Sequence, residues 1–137
     1  MQYYKDKSRK REYRYKDIDF SFEAHPHTGD LITRNDVPSV AQSVRSLIKT
    51  GKFERLFRPT INSRVRNSLF ELITPASMVQ LRSNIKDVLV QHEPRVNVID
   101  VLVFENPGKN SLSVSILYLV KAMNQTAETE VTLERLR

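Results

Sequence analysis

Between residues 37 and 48 the apolar side chains Val37, Val40, Ala41, Val44, Leu47 and Ile48 recur at i, i+3, i+4, i+7, i+10 and i+11. That is one face of a 3.6-residue helix. Asp36 stands where an N-cap belongs, Pro38 lies in the first turn where its missing N–H does no harm, and Gly51 can close the end. Upstream, Ile18, Phe20 and Phe22 alternate with Asp19, Ser21 and Glu23, which predicts a half-buried strand beginning near Asp17. A turn-rich stretch from His25 to Asp30 follows, and Leu31 and Ile32 can return as a short strand.

Downstream of a connector carrying Phe53, Leu56, Phe57 and Pro59, the positions Val65, Leu69, Phe70 and Leu72 predict a shorter helix from about Asn62 to Leu72. Thr74 and Pro75 read as N-cap and first helical residue of a third helix. It runs to about His92 and buries Met78, Leu81, Ile85, Val88 and Leu89. Glu93-Pro94-Arg95 ends it, because a proline disfavours helix in the residue before it.

Beyond Arg95 the period changes from 3.6 to 2. Residues 96–104 and 112–120 are β-branched and aromatic runs, separated by the turn cluster Asn106-Pro107-Gly108-Lys109-Asn110, which predicts an antiparallel hairpin. Leu112, Val114, Ile116, Tyr118 and Val120 share one face of the second strand. The first strand is apolar on both faces, which predicts a place inside the sheet. Residues 125–136 alternate Ala127, Thr129, Val131 and Leu133 with Glu128, Glu130, Thr132 and Glu134, the pattern of an edge strand charged on its outer side. The expected architecture is α+β, with three helices on one face of a small antiparallel sheet.

Composition narrows the picture. The chain has 137 residues and 39% hydrophobic content, enough for one domain with a real core. The absence of cysteine excludes a disulfide scaffold and a zinc ribbon, and three glycines are too few for a Gly-rich phosphate cradle. No apolar run is long enough to span a membrane, and the basic N-terminus lacks the apolar stretch of a secretory signal. The chain is therefore expected to be made and kept in the cytosol, with no membrane partner.

The net charge of +6 is concentrated at one end. Residues 1–16 carry seven Lys/Arg against two acids, and four of the five tyrosines, at 3, 4, 13 and 15. The remainder is nearly neutral. This basic, tyrosine-rich arm has three readings: a solvated tail, an anchor on an acidic protein neighbour, or a nucleic-acid-tracking segment. Docking on a protein is the functional reading preferred here, through Arg9, Lys10, Arg11 and Arg14.

Catalytic chemistry is thinly represented. No serine sits in a glycine-flanked strand–turn–helix elbow. His25 and His27 could face one side of an extended segment, but His92 is the only other histidine and nothing in the spacing brings it near. A glycosidase would need two carboxylates across a cleft, with Glu23, Asp30, Glu71 and Glu93 as candidates, yet sugar-stacking aromatics are scarce. No cofactor and no metal are expected. Glu93-Pro94-Arg95 places opposite charges on both sides of a rigid proline. It reads either as an internal salt bridge near the carbonyl end of a helix or as a fixed guanidinium offered to a partner.

Gly51, Glu54-Arg55, Phe57, Pro59 and Leu69-Phe70-Glu71, then Glu93-Pro94-Arg95 opening a strand hairpin that includes Tyr118, resemble the baseplate wedge proteins of contractile-tailed bacteriophages. These form the sheath-initiator family, long labelled lysozyme-like, with a counterpart in the type VI secretion baseplate. The resemblance covers roughly residues 17–124. It departs at Asn62, where the family commonly has glycine; asparagine tolerates a left-handed backbone better than most residues.

The resemblance implies a non-enzymatic structural subunit in the virion tail baseplate, assembled in the host cytoplasm in six copies. Its fold would be similar to the core domain of the sheath protein. Implied partners are other wedge proteins, met through a helical core bundle at Glu93, Pro94 and Arg95, together with the tail sheath protein and tube or hub proteins. The first sheath ring would be templated by strand addition at the edge carrying Val131 and Leu133. The implied organisation is a basic arm (1–16), a wedge domain (17–124) and a C-terminal edge strand and tail (125–137). A lysozyme-type cell-wall hydrolase and a nucleic-acid-binding adaptor are the alternatives; nucleic acid is not expected among the partners.

Overall fold

A computed structural model of the chain describes residues 12–51, 53–59, 61, 65–68, 74–106, 108–109 and 111–134. In chain order the elements are β1 (Lys16–Ile18), β2 (Thr33–Asn35), α1 (Val37–Lys49), α2 (Val65–Ser68), α3 (Pro75–His92), β3 (Val96–Asn106), β4 (Ser111–Val120) and β5 (Gln125–Glu134). They form a mixed α+β fold with two antiparallel sheets, β1–β2 and β3–β4–β5. This differs from the expected three helices on one sheet. The described residues contain two long helices and a single turn, α2, with Val65 buried. The rest of the predicted second helix, including Asn62, Leu69, Phe70, Glu71 and Leu72, lies outside the described residues.

The core is one layer of helices on one sheet face. Val40, Val44, Leu47 and Ile48 of α1 and Leu81, Ile85, Val88 and Leu89 of α3 are buried against the inner residues of all three long strands. Leu112, Val114, Ile116, Tyr118 and Val120 of β4 are each at most 3% exposed, as their shared parity required. Met78, expected in the core, is only partly covered. α3 starts on a reciprocal capping box: Ser77 N–H donates to Thr74 Oγ1 (3.1 Å) and Thr74 N–H to Ser77 Oγ (2.8 Å).

Other details depart from the sequence pattern for physical reasons. Asp36 occupies the N-cap position of α1 but makes no side-chain cap. Its φ is 55°, and its Oδ1 instead accepts the backbone N–H groups of Arg14 (2.9 Å) and Tyr15 (3.3 Å). Gly51 is not the stop of α1: Thr50 is the C-cap, with both its N–H and its hydroxyl on the Ser46 carbonyl. The strand predicted on Ile18, Phe20 and Phe22 is only three residues long, because the chain turns at Asp19–Phe22, with Phe22 N–H on the Asp19 carbonyl and Phe22 at φ 54°. Its apolar residues are not half-buried but 49%, 58% and 69% exposed. The returning strand lies at residues 33–35, and Leu31 makes one isolated bridge to Ala24.

The position of β3 also needs correction. It is an edge strand, and β4 is central. An extra residue at Ile99 shifts the register between Val98 and Asp100, so the inward set changes from Val96 and Val98 to Val101 and Val103. That bulge puts apolar residues on both parities with no second covering layer among the described residues, and Ile99, Leu102 and Phe104 remain 52%, 39% and 53% exposed. The expected alternation of β5 is present, with Thr129, Val131 and Leu133 buried and the glutamates outside.

Candidate protein interface

The corner between α3 and β3 is built around one buried carboxylate. Glu93 caps α3, its N–H on the Leu89 carbonyl, and is 3% exposed. Pro94 turns the chain, and Arg95 returns its guanidinium to the same carboxylate through Nε–Oε1 (2.7 Å) and Nη2–Oε2 (2.9 Å). A third donor, the Ser43 hydroxyl on α1, reaches Glu93 Oε2. Arg95 Nη1 donates to Asp17 Oδ2 at 3.2 Å, the same oxygen that accepts the Ser39 hydroxyl at 2.6 Å. The Tyr15 ring stands 5.3 Å from the guanidinium carbon. One arginine thus ties together the α3–β3 corner, α1, β1 and the residues just before it.

The electrostatics follow from this packing. Burial pushes the Glu93 carboxyl up, but the hydrogen bonds from Arg95 and Ser43 outweigh it and hold the group below the usual carboxylate range. Asp17 is lowered by the Ser39 hydroxyl and, against some burial, by Arg95. Arg95 is held in its charged form chiefly by Glu93. These shifts run opposite to the raised pKa of a glycosidase general acid. Of the other carboxylate candidates, Glu23 and Asp30 are exposed and Glu71 lies outside the described residues.

Ser39, Gln42, Ser43 and Ser46 recur at i, i+3, i+4 and i+7 on α1, a polar stripe beside the apolar one. Gln42, 8% exposed, donates to the Ile18 carbonyl (2.8 Å) and accepts the Phe20 N–H (3.3 Å), acting as a strand-like partner for the chain after β1. The sequence reading missed these polar contacts, although the stripe was visible in the spacing. Beside it lies an open hollow of about 590 Å³, with Ile18, Phe20, Leu47 and Ile61 as its apolar wall and Lys16, Arg55, Arg58 and Arg95 as its basic rim. A second, of about 550 Å³, continues past Phe20. Leu56 and Phe57, 89% and 96% exposed, lie in the same connector as Arg55 and Arg58.

Of the residues singled out in the sequence, Glu93 and Arg95 come together, and Pro94 is exposed at the turn between them. Val131 and Leu133 point into the core, so their strand could meet a partner through its backbone edge rather than through these side chains. Arg14 is exposed; Arg9, Lys10 and Arg11 lie outside the described residues. His25 and His27 sit in an exposed turn with ring centroids 5.8 Å apart. Among the described residues no three His, Asp or Glu gather as a metal site, and no helix is long and apolar enough to cross a membrane.

Two solved structures share the fold. A crystal structure from Geobacter sulfurreducens of a protein called a tail lysozyme superposes with a TM-score of 0.64 at 22% identity, over 72% of this chain and 89% of that one. A chain of the cryo-EM baseplate of the anti-feeding prophage gives 0.63 at 21% identity, over 90% and 88%. No curated protein sequence matches. The sequence profile of baseplate wedge protein gp25 matches residues 34–125, a span that runs from β2 through the Glu93–Arg95 corner to the first residue of β5. The chain belongs to the gp25 family of baseplate wedge proteins, structural components of phage tail-like baseplates.

Proposed function

We propose that this chain is the wedge subunit that joins the wedge core to the tail tube and templates the first sheath ring, in six copies around the tube. The fold is then similar to the core domain of the sheath protein. The observation that carries the reading is the edge strand β5. Among the described residues its ten residues pair with β4 on one side only, while Thr129, Val131 and Leu133 lock the strand onto the core. A rigid strand with an open edge is a template for a strand from another chain.

The Glu93–Pro94–Arg95 corner and the adjoining hollows form the wedge-facing surface. Here the salt bridge fixes the corner, and the exposed Ile18, Phe20, Leu56 and Phe57 supply the apolar area that a partner helix covers. Residues 1–16 are a docking arm for an acidic surface, residues 17–124 the wedge domain, and residues 125–137 the sheath-facing strand and tail. Lysozyme-type catalysis is disfavoured by the bridging of Glu93.

A cysteine introduced at Thr132, exposed on β5 in a chain with no cysteine, tests the sheath contact. In intact tails a short thiol-to-amine cross-linker is expected to join it to the sheath protein. Cross-links to other baseplate proteins alone would overturn the strand-addition reading.

A further inference from the structure

The outer face of the three-stranded sheet carries none of the described helices, yet it is not a neutral solvent face. Ile99, Leu102, Phe104 and Leu117 form an exposed apolar stripe, 36–53% open, along β3 and into β4. Asp100, Glu128, Glu130 and Glu134 are exposed around it. The register puts Leu102 opposite Ser115 and Ser115 opposite Glu130, and likewise Asp100 opposite Leu117 and Leu117 opposite Glu128. Hydrophobic and acidic columns therefore run side by side, two strand spacings or roughly 10 Å apart. The described outward positions of these strands include no lysine or arginine. A face of this kind suits a segment that offers both apolar rings and positive charge.

The same chain contains such a segment. Residues 1–11 carry five Lys/Arg, one acid, and Tyr3 and Tyr4. The described chain leads away from a point near the end of this sheet. Tyr15 stacks by Arg95, and the Arg95 carbonyl accepts the Lys121 N–H, where β4 gives way to the β4–β5 turn. Eleven residues extend to about 36 Å. Passing the sheet's end and running five residues along β5 to Glu130 takes roughly 30 Å.

We infer that residues 1–11 fold round the end of the sheet in cis and seat on its outer face, basic side chains on the glutamate column and Tyr3 and Tyr4 on the apolar stripe. This rests on the reading of the arm as a docking element and names the acidic surface that it takes. Tethering supplies a high local concentration, so contacts too weak to hold a free peptide suffice.

The full chain with Ser8→Cys, carrying a nitroxide at its single thiol, tests the inference by paramagnetic broadening of ¹⁵N-labelled amides. Broadening is expected at Ser115, Leu117, Glu128 and Glu130. It should be lost in about 1 M salt, where the Debye length falls to about 3 Å, and lost in the Glu130→Lys/Glu134→Lys chain. Broadening centred on another surface would overturn the inference while leaving the arm a docking element. Broadening confined to residues next to Glu12 would overturn the seating on this face. Broadening of a ¹⁵N chain only by a separately spin-labelled copy would overturn the seating in cis.

Discussion

Glu93 and Arg95, separated by one proline, grip each other through two nearly parallel N–H···O bonds of 2.7 and 2.9 Å, with the carboxylate 3% exposed. The tripeptide is thus an internal brace in this chain. The carboxylate and the fork of the guanidinium serve the fold. Pro94 and part of Arg95 stay exposed beside the carboxylate.

Arg95→Ala leaves a buried, uncompensated carboxylate. Removing one partner of a buried pair costs about 3–5 kcal/mol; the arginine side chain is 24% exposed, so a loss nearer 2–4 kcal/mol is expected. A urea titration checks it, and an unchanged midpoint would contradict the brace. Arg95→Lys, which keeps the charge without the planar fork, should recover only part of the loss.

Acid should unfold this protein through the same corner. The folded-state pKa values of Glu93 and Asp17 lie below their unfolded values. Their stabilisation is therefore complete above the ordinary carboxylate pKa, roughly 4. It is lost as pH falls below that toward the folded values. Denaturant midpoints measured from neutral pH downward should fall in that acid window, and the Arg95→Ala chain should show a shallower slope there. Equal slopes would mean that the bridge does not set the acid limit.

Tyr118 is fully buried, and its hydroxyl lies 2.8 Å from Thr129 Oγ1. Tyr118→Phe leaves the threonine hydroxyl without this partner in the core, an expected loss of about 1–3 kcal/mol. Adding Thr129→Val should return much of it, because replacing both partners with apolar groups of similar shape is nearly neutral. Thermal unfolding of the two single variants and the double variant checks this, and additive losses would contradict it.

At α3, Thr74→Ala removes the hydroxyl that accepts the Ser77 N–H. A loss of about 1 kcal/mol is expected. Asp36→Ala should instead loosen residues 14 and 15, whose backbone N–H groups it holds. Amide exchange distinguishes the two: Arg14 and Tyr15 should lose protection in Asp36→Ala alone.

Where one period runs uninterrupted and one face is buried, the sequence was a direct guide. The apolar stripe of α1, the Thr74-Pro75 start and Glu93 end of α3, the Leu112–Val120 face and the alternation of β5 all lie in the structure as their spacing required. The misreadings share a cause. Ile18, Phe20 and Phe22 alternate as a buried strand would, and β3 is apolar on both parities as an interior strand would be. In both places the apolar side chains are exposed among the described residues, and periodicity alone does not tell a buried apolar face from an exposed one. The Ile99 bulge added to the confusion, since one extra residue exchanges the two faces. Asp36 was legible as a helix start, but its use as a clamp on residues 14 and 15 depends on contacts 21 and 22 residues apart in sequence.

We propose that this subunit meets its wedge through the apolar surface beside the Glu93–Arg95 corner. Phe20 and Phe57 are 58% and 96% exposed, so Phe20→Ser/Phe57→Ser should leave folding within about 0.5 kcal/mol of the parent. Negative-stain microscopy of particles from cells supplied only with that variant tests the claim most directly. Tails without complete baseplates or sheaths, from a variant whose unfolding midpoint matches the parent, are the expected result. Normal baseplates carrying the variant at full occupancy would contradict it.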